Sequence, residues 1–432
     1  MDTERTVVPA IRDALVAACP VVRSADSAAD AIGGVVPSFV AFPASTEEAS
    51  ALLRAAAAFD LAVVPRGAGT GLGWGTPPSA CDLVIDLQAM DQVLEHAAGD
   101  LVARVQAGAT IGHLASVLAS AGQELVLDVP ADATVGGVVA TGTAGPRRFR
   151  YGAPRDLLIG ITIVRADGVV AHAGGKVVKN VAGYDLGKLF SGSQGTLGLI
   201  TEATFRLHPR PAAAAWVTAD YGLSALAGVA SAVASAAGSA LVPSAVELAW
   251  SAAFLRLGVL LEGTESGVTE RVSRMSELIA SAGGRPTVAR SEGPFRSWDL
   301  VPAAGSPAAV VRVSFWLSGL ADVLEALAAA GASGEGLRPM VSGPAGAGVL
   351  YACLDPGVPE EDTIGFVRTL RDSLGHSGSG EPRGSVAVLA APPAVMTAAG
   401  AYGPLPGEAL MRAVKNQFDP GHRMFPGRLG GS

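Results

Sequence analysis

The chain has 432 residues, 49% of them hydrophobic and 16% charged, which allows two or three domains with a large buried core. A formal net charge of −8 argues against nucleic acid or an anionic membrane as a main partner. The three cysteines, Cys19, Cys81 and Cys353, share no CxxC spacing, so neither a zinc site nor an iron–sulfur cluster is expected within the chain.

The N-terminus mixes acids and bases with no apolar h-region, so no signal peptide is expected. Phe39 to Phe42 reads as a short strand. Ser45 and Glu48 form a capping box for a helix whose apolar stripe is Ala49, Leu52, Leu53, Ala56 and Phe59. Leu61 to Val64 is the next strand, and "PRGAGTGLGWGTPP" follows it directly. Glycines at 67, 69, 71, 73 and 75 give no G-x-G-x-x-G register and no lysine follows, so neither a Rossmann nor a P-loop site is predicted. Two readings remain, a glycine-rich surface loop or a backbone nest whose N–H groups converge on an anion, with Arg66 adding charge and Thr70 a hydroxyl.

Leu83 to Leu87 and Leu101 to Val105 are further strands. Thr110 caps a helix that buries Ile111, Leu114, Val117, Leu118 and Ala121 and ends at Gly122. From Pro130 to Gly152 the pattern dissolves into a loop-rich stretch containing "ATVGGVVATGTAG". This is a second glycine segment, either a ligand loop or a pair of tight turns. The basic cluster Arg147, Arg148 and Arg150 fits a substrate carboxylate, a partner subunit or a solvated loop. Leu158 to Arg165 and Val169 to Ala171 form a hairpin about Asp167-Gly168. In "GGKVVKNVAGYDLGKLF", Lys176, Lys179, Asn180, Tyr184 and Asp185 cluster among small residues. Lys179 or Tyr184 fits a role on a substrate carboxylate, or an ordinary solvated lysine and buried tyrosine.

Leu197 to Leu207 is an apolar strand, and the Pro/Ala segment from Pro209 to about Ala215 reads as a domain boundary. The charge-free run between Asp220 and Glu247 is long enough to span a bilayer. It is rich in Ala, Ser and Gly and broken by Pro243, so an Ala-rich helix followed by a strand is expected, with no transmembrane segment. Helices near 223–237, 268–282, 320–330 and 360–373 alternate with strands near 256–261, 309–316 and 349–354, which predicts an α+β or α/β second domain. The tail "RAVKNQFDPGHRMFPGRL" reads as a short helix and two Pro-containing turns.

Taken together, "PRGAGTGL", "ATVGGVVATGTAG", "RYG", "KVVKNVAGYDLGKLFSGSQGTLGLITEATFRLHP" and "FDPGHRMFPGRL" resemble the FAD-binding fold of the vanillyl-alcohol oxidase and p-cresol methylhydroxylase type. More narrowly, they resemble the FAD-binding subunits of glycolate oxidase. The resemblance covers residues 30–210 and, more loosely, 405–430. It implies an α+β fold, with a two-subdomain FAD-binding domain at 1–209, an α+β cap at 210–400 and a tail, 401–432, returning to the FAD domain.

By this resemblance Pro65, Arg66, Gly67, Ala68, Gly69, Thr70, Gly71 and Leu72 wrap the FAD pyrophosphate. Pro130, Thr134, Gly136, Gly137, Thr141, Gly142, Thr143 and Gly145 line the second side. Gln194, Gly195, Thr196, Gly198 and Ile200 lie by the adenosine half, with Gln194 standing where the family usually has Glu. Lys179 and Tyr184 approach the isoalloxazine as candidate catalytic residues.

Relatives with covalent flavin often place His where Thr70 stands, so noncovalent FAD is expected. No H-x-G-D-G-N-type segment occurs and the six histidines show no metal-ligand spacing, so no metal is expected. The resemblance implies an FAD-dependent oxidoreductase acting on a small 2-hydroxy acid such as glycolate, within a complex containing a second flavin subunit and an iron–sulfur subunit. A stand-alone FAD-dependent 2-hydroxy-acid or alcohol dehydrogenase is the alternative. The expected location is the cytoplasm, with partner subunits as the route to any membrane association.

Overall fold

The computed structural model describes residues 2–26, 29–175, 185–289, 309–332, 337–375, 383–405 and 407–429. Three main sheets organise them. The first holds Val22–Ser24, Phe39–Ala41, Leu83–Asp86 and Val63–Arg66 in that order. Its last three strands are parallel, and Phe39–Ala41 and Leu83–Asp86 are buried at every residue, as a parallel sheet requires. The helix Thr46–Ala58 makes the crossover. The Ser45 hydroxyl accepts from the Glu48 N–H, and the Glu48 carboxylate accepts from the Ala44 N–H at 2.8 Å. Leu52, Leu53 and Ala56 are buried beneath the helix, as the spacing predicted.

The second sheet is antiparallel, in the order Val93–Ala97, Val102–Gln106, Leu199–Arg206, Leu158–Val164, Val170–Gly174. The first and second sheets share one core, which reaches from Leu15 through Ile85 and Phe190 to Met424.

The third sheet has eight antiparallel strands and carries an internal repeat. Ala213–Tyr221, Leu226–Ala237, Ala245–Trp250, Leu255–Gly263, Glu265–Ser281 and Arg285–Ala289 run strand, helix, strand, strand, helix, strand. Ala309–Phe315, Leu320–Gly331, Met340–Gly343, Val349–Leu354, Glu360–Gly375 and Gly384–Ala390 repeat that order. Each half is a split βαβ unit. The halves join through their second strands, where Leu248 pairs with Gly343, so their strand orders mirror each other across the seam. All four helices cover one face of this sheet, burying Val246, Leu248, Val311, Val313, Val341, Leu350 and Ala352 beneath them.

Two sequence expectations change here. The stretch read as loop contains the helices Val135–Thr141 and Arg148–Tyr151. Thr134 caps the first, its hydroxyl accepting from the Gly137 N–H, and Gly142 ends it in a left-handed conformation. Glycine lowers helix propensity, but here it allows close packing. A Cβ on Gly136 would lie 2.8 Å from the Ala107 Cβ. The Pro/Ala segment read as a boundary also supplies the start of strand Ala213–Tyr221, where Ala213, Ala214 and Ala215 pair with Gly263, Glu262 and Leu261. Pairing and burial outweigh the weak strand preference of alanine.

The tail closes the first sheet. Val63 donates to the Arg423 carbonyl and accepts from the Phe425 N–H, each at 2.8 Å. Helix Glu408–Phe418 brings Lys415 into the interior, where its ammonium donates to the Asp419 carboxylate at 2.5 Å and to the carbonyls of Thr196 and Met424 at 2.7 and 2.9 Å. Asp419, fully buried, also accepts from the N–H groups of Arg423 and Met424. Among the described residues no helix is long and apolar enough to cross a membrane.

Candidate cofactor site

Strand Val63–Arg66 ends at the first glycine segment. Gly69 takes φ +81°, the left-handed region that glycine enters without a Cβ penalty. The Leu72 and Trp74 N–H groups fold back onto the carbonyls of Gly69 and Gly71 at 3.1 and 3.2 Å. Among the described residues, the N–H groups of Gly67, Ala68, Gly69, Thr70 and Gly71 donate to no protein acceptor. Backbone donors are rarely left unpaired unless water or a ligand takes them, and consecutive ones make an anion-binding concavity.

The carbonyl side of this loop is held from behind. Arg428, 3% exposed, donates to the carbonyls of Gly71, Leu72 and Thr76 at 3.1, 3.2 and 3.2 Å and to the Gln194 side-chain oxygen at 3.0 Å. Its guanidinium also lies over the Phe425 ring, 4.6 Å from the centroid. The Gln194 amide in turn donates to the Tyr402 hydroxyl. Among the described residues no carboxylate pairs with Arg428. Burial pushes its pKa down to about 10, which leaves it charged at neutral pH, in the cavity wall. Replacing Arg428 by Met, with comparable bulk and no charge, is therefore expected to weaken FAD binding roughly 10- to 100-fold. Fluorescence titration of the cofactor-stripped protein measures this.

The second glycine segment closes against the first. A Cβ on Gly67 would lie 2.0 Å from the Thr134 hydroxyl oxygen, and one on Gly71 would lie 3.0 Å from the Thr141 methyl. Between the segments runs a cavity of about 1350 Å³. That exceeds the roughly 300–1,000 Å³ typical of sites for drug-sized ligands and suits a dinucleotide. Its far wall comes from the third sheet, through Trp216 and Leu260, and Phe425 and Arg428 of the tail complete it. The N–H run unpaired among the described residues, the buried cation beside it and the volume of the cavity fit FAD.

Most residues expected to hold the cofactor line this cavity: Pro65 through Leu72, Pro130, Thr134, Gly136, Gly137, Thr141, Thr143, Gln194, Gly195, Gly198 and Ile200. Three are not part of the lining. Gly142 ends the helix Val135–Thr141, Gly145 donates to the Leu127 carbonyl at 2.8 Å, and Thr196 donates to the Ser193 carbonyl at 2.7 Å while its own carbonyl receives Lys415. Lys179 and Tyr184, with Lys176 and Asn180, lie outside the described residues. Asp185 caps the helix Leu186–Phe190 by accepting from the Lys188 N–H.

Arg66 lines the cavity with its guanidinium already engaged by two carboxylates. Its guanidinium bonds Asp86 at 2.7 Å and Asp30 at 3.2 Å, and both carboxylates are buried. Bonds from Arg23 and Arg66 hold the Asp30 carboxyl well below its usual range.

The basic cluster splits three ways. Arg147 is caged by Glu124 at 3.0 Å, Asp128 at 2.6 Å and Glu262 of the third sheet at 3.2 Å. Burial opposes its charge, but these carboxylates overcome that and raise its pKa above the ordinary value. Arg147 thus ties the second glycine segment to the third sheet, and Tyr151 donates to the same Glu262 at 3.2 Å. Arg150 is exposed and donates to the Ser244 hydroxyl at 3.3 Å. Arg148 turns inward and pairs with no carboxylate among the described residues.

Sequence reasoning missed Arg428, Asp128, Trp216 and Leu260. Only Arg428 carried a signal, its place in the tail segment "FPGRL". Trp216 and Leu260 reach the cavity through the pairing of the third sheet, and Asp128 from the chain just before Pro130.

Comparison with known proteins agrees with this geometry. The model of a family described as an FAD binding domain matches residues 37–174, a span that includes both glycine segments. Glycolate oxidase subunit GlcD of Bacillus subtilis (strain 168) is 36% identical over 178 residues, which cover 41% of this chain and 38% of that protein. A probable mitochondrial D-lactate dehydrogenase of Danio rerio is 35% identical over 178 residues, covering 40% of this chain and 36% of that protein. The matches thus span less than two fifths of these relatives' own length. Over nearly the whole chain the fold is shared with p-cresol methylhydroxylase, at a TM-score of 0.74 and 17% identity, covering 98% of this chain and 96% of that one.

Proposed function

We propose, from the premise that residues 37–174 are an FAD binding domain in a fold of the vanillyl-alcohol oxidase and p-cresol methylhydroxylase type, that the chain is an FAD-dependent oxidoreductase subunit acting on small 2-hydroxy acids such as glycolate. One observation carries the cofactor reading. Five consecutive residues whose backbone N–H groups have no protein acceptor among the described residues line a cavity closed by a second glycine segment.

In this reading Gly67 to Gly71 receive the pyrophosphate, Arg428 holds the loop and adds positive charge, and Thr134, Gly136 and Gly137 close the other side. Bound FAD supplies the hydride acceptor that no side chain provides. Trp216 and Leu260 exclude water from the cap side. The reading divides the chain into an FAD-binding domain at 1–209, a cap at 210–400 and a returning tail at 401–432. It also includes Lys179 and Tyr184 beside the isoalloxazine.

Attachment is noncovalent. Thr70 stands where covalently flavinylated relatives often have His, and among the described residues no His, Cys or Tyr lines the cavity. A second flavin subunit and an iron–sulfur subunit complete the complex. The chain lies in the cytoplasm, where its three buried thiols stay reduced, and its partners are the route to any membrane.

A second reading, a dehydrogenase that works alone, is favoured by one feature. Glu247, a buried carboxyl without a hydrogen-bond partner among the described residues, lies on the same side of the third sheet as Trp216 and Leu260.

Acid precipitation of the purified chain is expected to release about one FAD per chain into the supernatant. A colourless protein that cannot take up FAD would overturn the proposal, and flavin retained on the precipitate would overturn noncovalent attachment. Anaerobic mixing with glycolate or D-lactate decides between the two readings. Rapid bleaching of the isolated chain supports the stand-alone enzyme. Bleaching only after co-purification with an iron–sulfur protein supports the complex.

A further inference from the structure

The first glycine segment is tied to the outer edge of the third sheet. Gly75, its last glycine, donates its N–H to the Leu389 carbonyl of edge strand Gly384–Ala390 at 2.6 Å. A Cβ at Gly75 would lie 3.2 Å from the Tyr402 hydroxyl and 3.5 Å from the Gln194 side-chain oxygen. Tyr402 is itself pinned to that edge. The neighbouring Ala401 carbonyl accepts from the Val388 N–H at 2.7 Å, and the Arg371 guanidinium donates to the carbonyls of Gly400 and Ala401 at 2.8 and 3.3 Å.

Gln194 stands where these parts meet. It holds φ +54°, a left-handed conformation that non-glycine residues rarely adopt and that persists only where surrounding contacts enforce it. Its N–H donates to the Ala140 carbonyl of helix Val135–Thr141 at 2.7 Å, its side-chain oxygen accepts from Arg428 at 3.0 Å, and its amide nitrogen donates to the Tyr402 hydroxyl. One residue of the cavity wall therefore touches the second glycine segment, the tail and the edge of the third sheet.

A guanidinium only donates, so Arg428 draws the amide oxygen of Gln194 toward itself and turns the amide nitrogen to Tyr402. The Tyr402 hydroxyl, by accepting, fixes that orientation. Burial raises the Tyr402 pKa, which keeps the phenol neutral. The other acceptors of Arg428 among the described residues, the carbonyls of Gly71, Leu72 and Thr76, are also uncharged. The guanidinium has its hydrogen bonds met and its charge left standing. A carboxylate in place of the Gln194 amide would reach the same guanidinium and cancel that charge.

We propose that Gln194, oriented by Tyr402, is a positioning residue that keeps the Arg428 charge unneutralised behind the first glycine segment, so that affinity for a diphosphate-bearing cofactor is set from the edge of the third sheet. That this cofactor is FAD rests on the reading above. The neutral partnering of Arg428 rests on these contacts alone.

The test compares Gln194→Glu with Gln194→Met in the cofactor-stripped full chain, measuring denaturant unfolding and the affinities for FAD and ADP. Glu keeps the contact with Arg428 and makes it an ion pair. Stability should hold or rise, yet both ligands should bind roughly 10-fold more weakly. Met removes both side-chain hydrogen bonds and leaves the charge, so stability should fall while affinity changes less than about threefold. A merely structural role gives the opposite order, with affinity following stability. Added salt should weaken FAD binding more steeply in the wild-type chain than in Gln194→Glu. Tyr402→Phe leaves the Gln194 amide without its acceptor and should weaken FAD binding roughly 3- to 10-fold, which keeps the test decisive if Gln194→Glu misfolds. Wild-type affinity in Gln194→Glu or in Tyr402→Phe, or affinities that follow stability, overturns the proposal. ADP binding that depends on Gln194 in a chain that takes up no FAD supports the positioning role and overturns the FAD reading. FAD uptake indifferent to Gln194 does the reverse, and a wild-type chain that binds neither ligand overturns both.

Discussion

Gly69→Asp is expected to give a folded chain that retains no FAD. Position 69 holds φ +81°, and a Cβ there would meet only the Leu72 side chain, at 3.7 Å. The substitution therefore costs backbone strain of about 1–2 kcal/mol rather than a steric collision. The new carboxylate would stand among the N–H groups of Gly67 to Gly71. It would capture the donors meant for the pyrophosphate and repel its charge. Losing two or more charge-assisted hydrogen bonds, at about 1.5–3 kcal/mol each, lowers affinity by at least about 100-fold. FAD per chain after gel filtration measures the loss, and circular dichroism confirms the fold. Gly69→Ala separates the causes, because it carries the strain without the charge and should keep most of its FAD. Wild-type FAD content in Gly69→Asp would refute the placement of the pyrophosphate.

The second large effect lies at the tail. Asp419→Ala should cost about 3–5 kcal/mol of stability, because it leaves the Lys415 ammonium buried without its counter-charge. It also frees the N–H groups of Arg423 and Met424, which the carboxylate fixes while Val63 pairs with the tail. Chemical denaturation measures the loss. The double variant Lys415→Met with Asp419→Ala should recover much of it, since an apolar pair needs no compensation. A single-variant cost below about 1 kcal/mol would show that the tail is held by other contacts. The same clasp positions Phe425 and Arg428, so Asp419→Ala should also lose FAD. The two effects are thus coupled through one short segment.

Much of the first half was legible in the sequence because its signals are local. Ser45 and Glu48 announced the helix Thr46–Ala58, and Thr110 announced Ile111–Ala119. The third sheet was harder. Strands Arg285–Ala289, Met340–Gly343 and Gly384–Ala390 went unread because pairing rather than propensity makes them strands. Their repeat across the seam is a relation between pairings that no single segment expresses. Arg147, Arg148 and Arg150 looked alike in the chain. One became a buried ion-pair hub, one an inward cation and one a surface group, because successive residues of a short helix face different neighbours.

By itself, the sequence marked the two glycine segments and, through their resemblance to a flavin-binding fold, the expectation of FAD. A backbone nest for an anion favours residues without a Cβ, and glycines stand at 67, 69 and 71 of the first segment. Tertiary structure alone decided how the cations around the glycine segments are paired. Arg66, next to the loop, is neutralised by Asp30 and Asp86, whereas Arg428, more than 350 positions away, stays charged against the loop carbonyls. A charge acts through space and through what pairs with it, and neither is set by position along the chain.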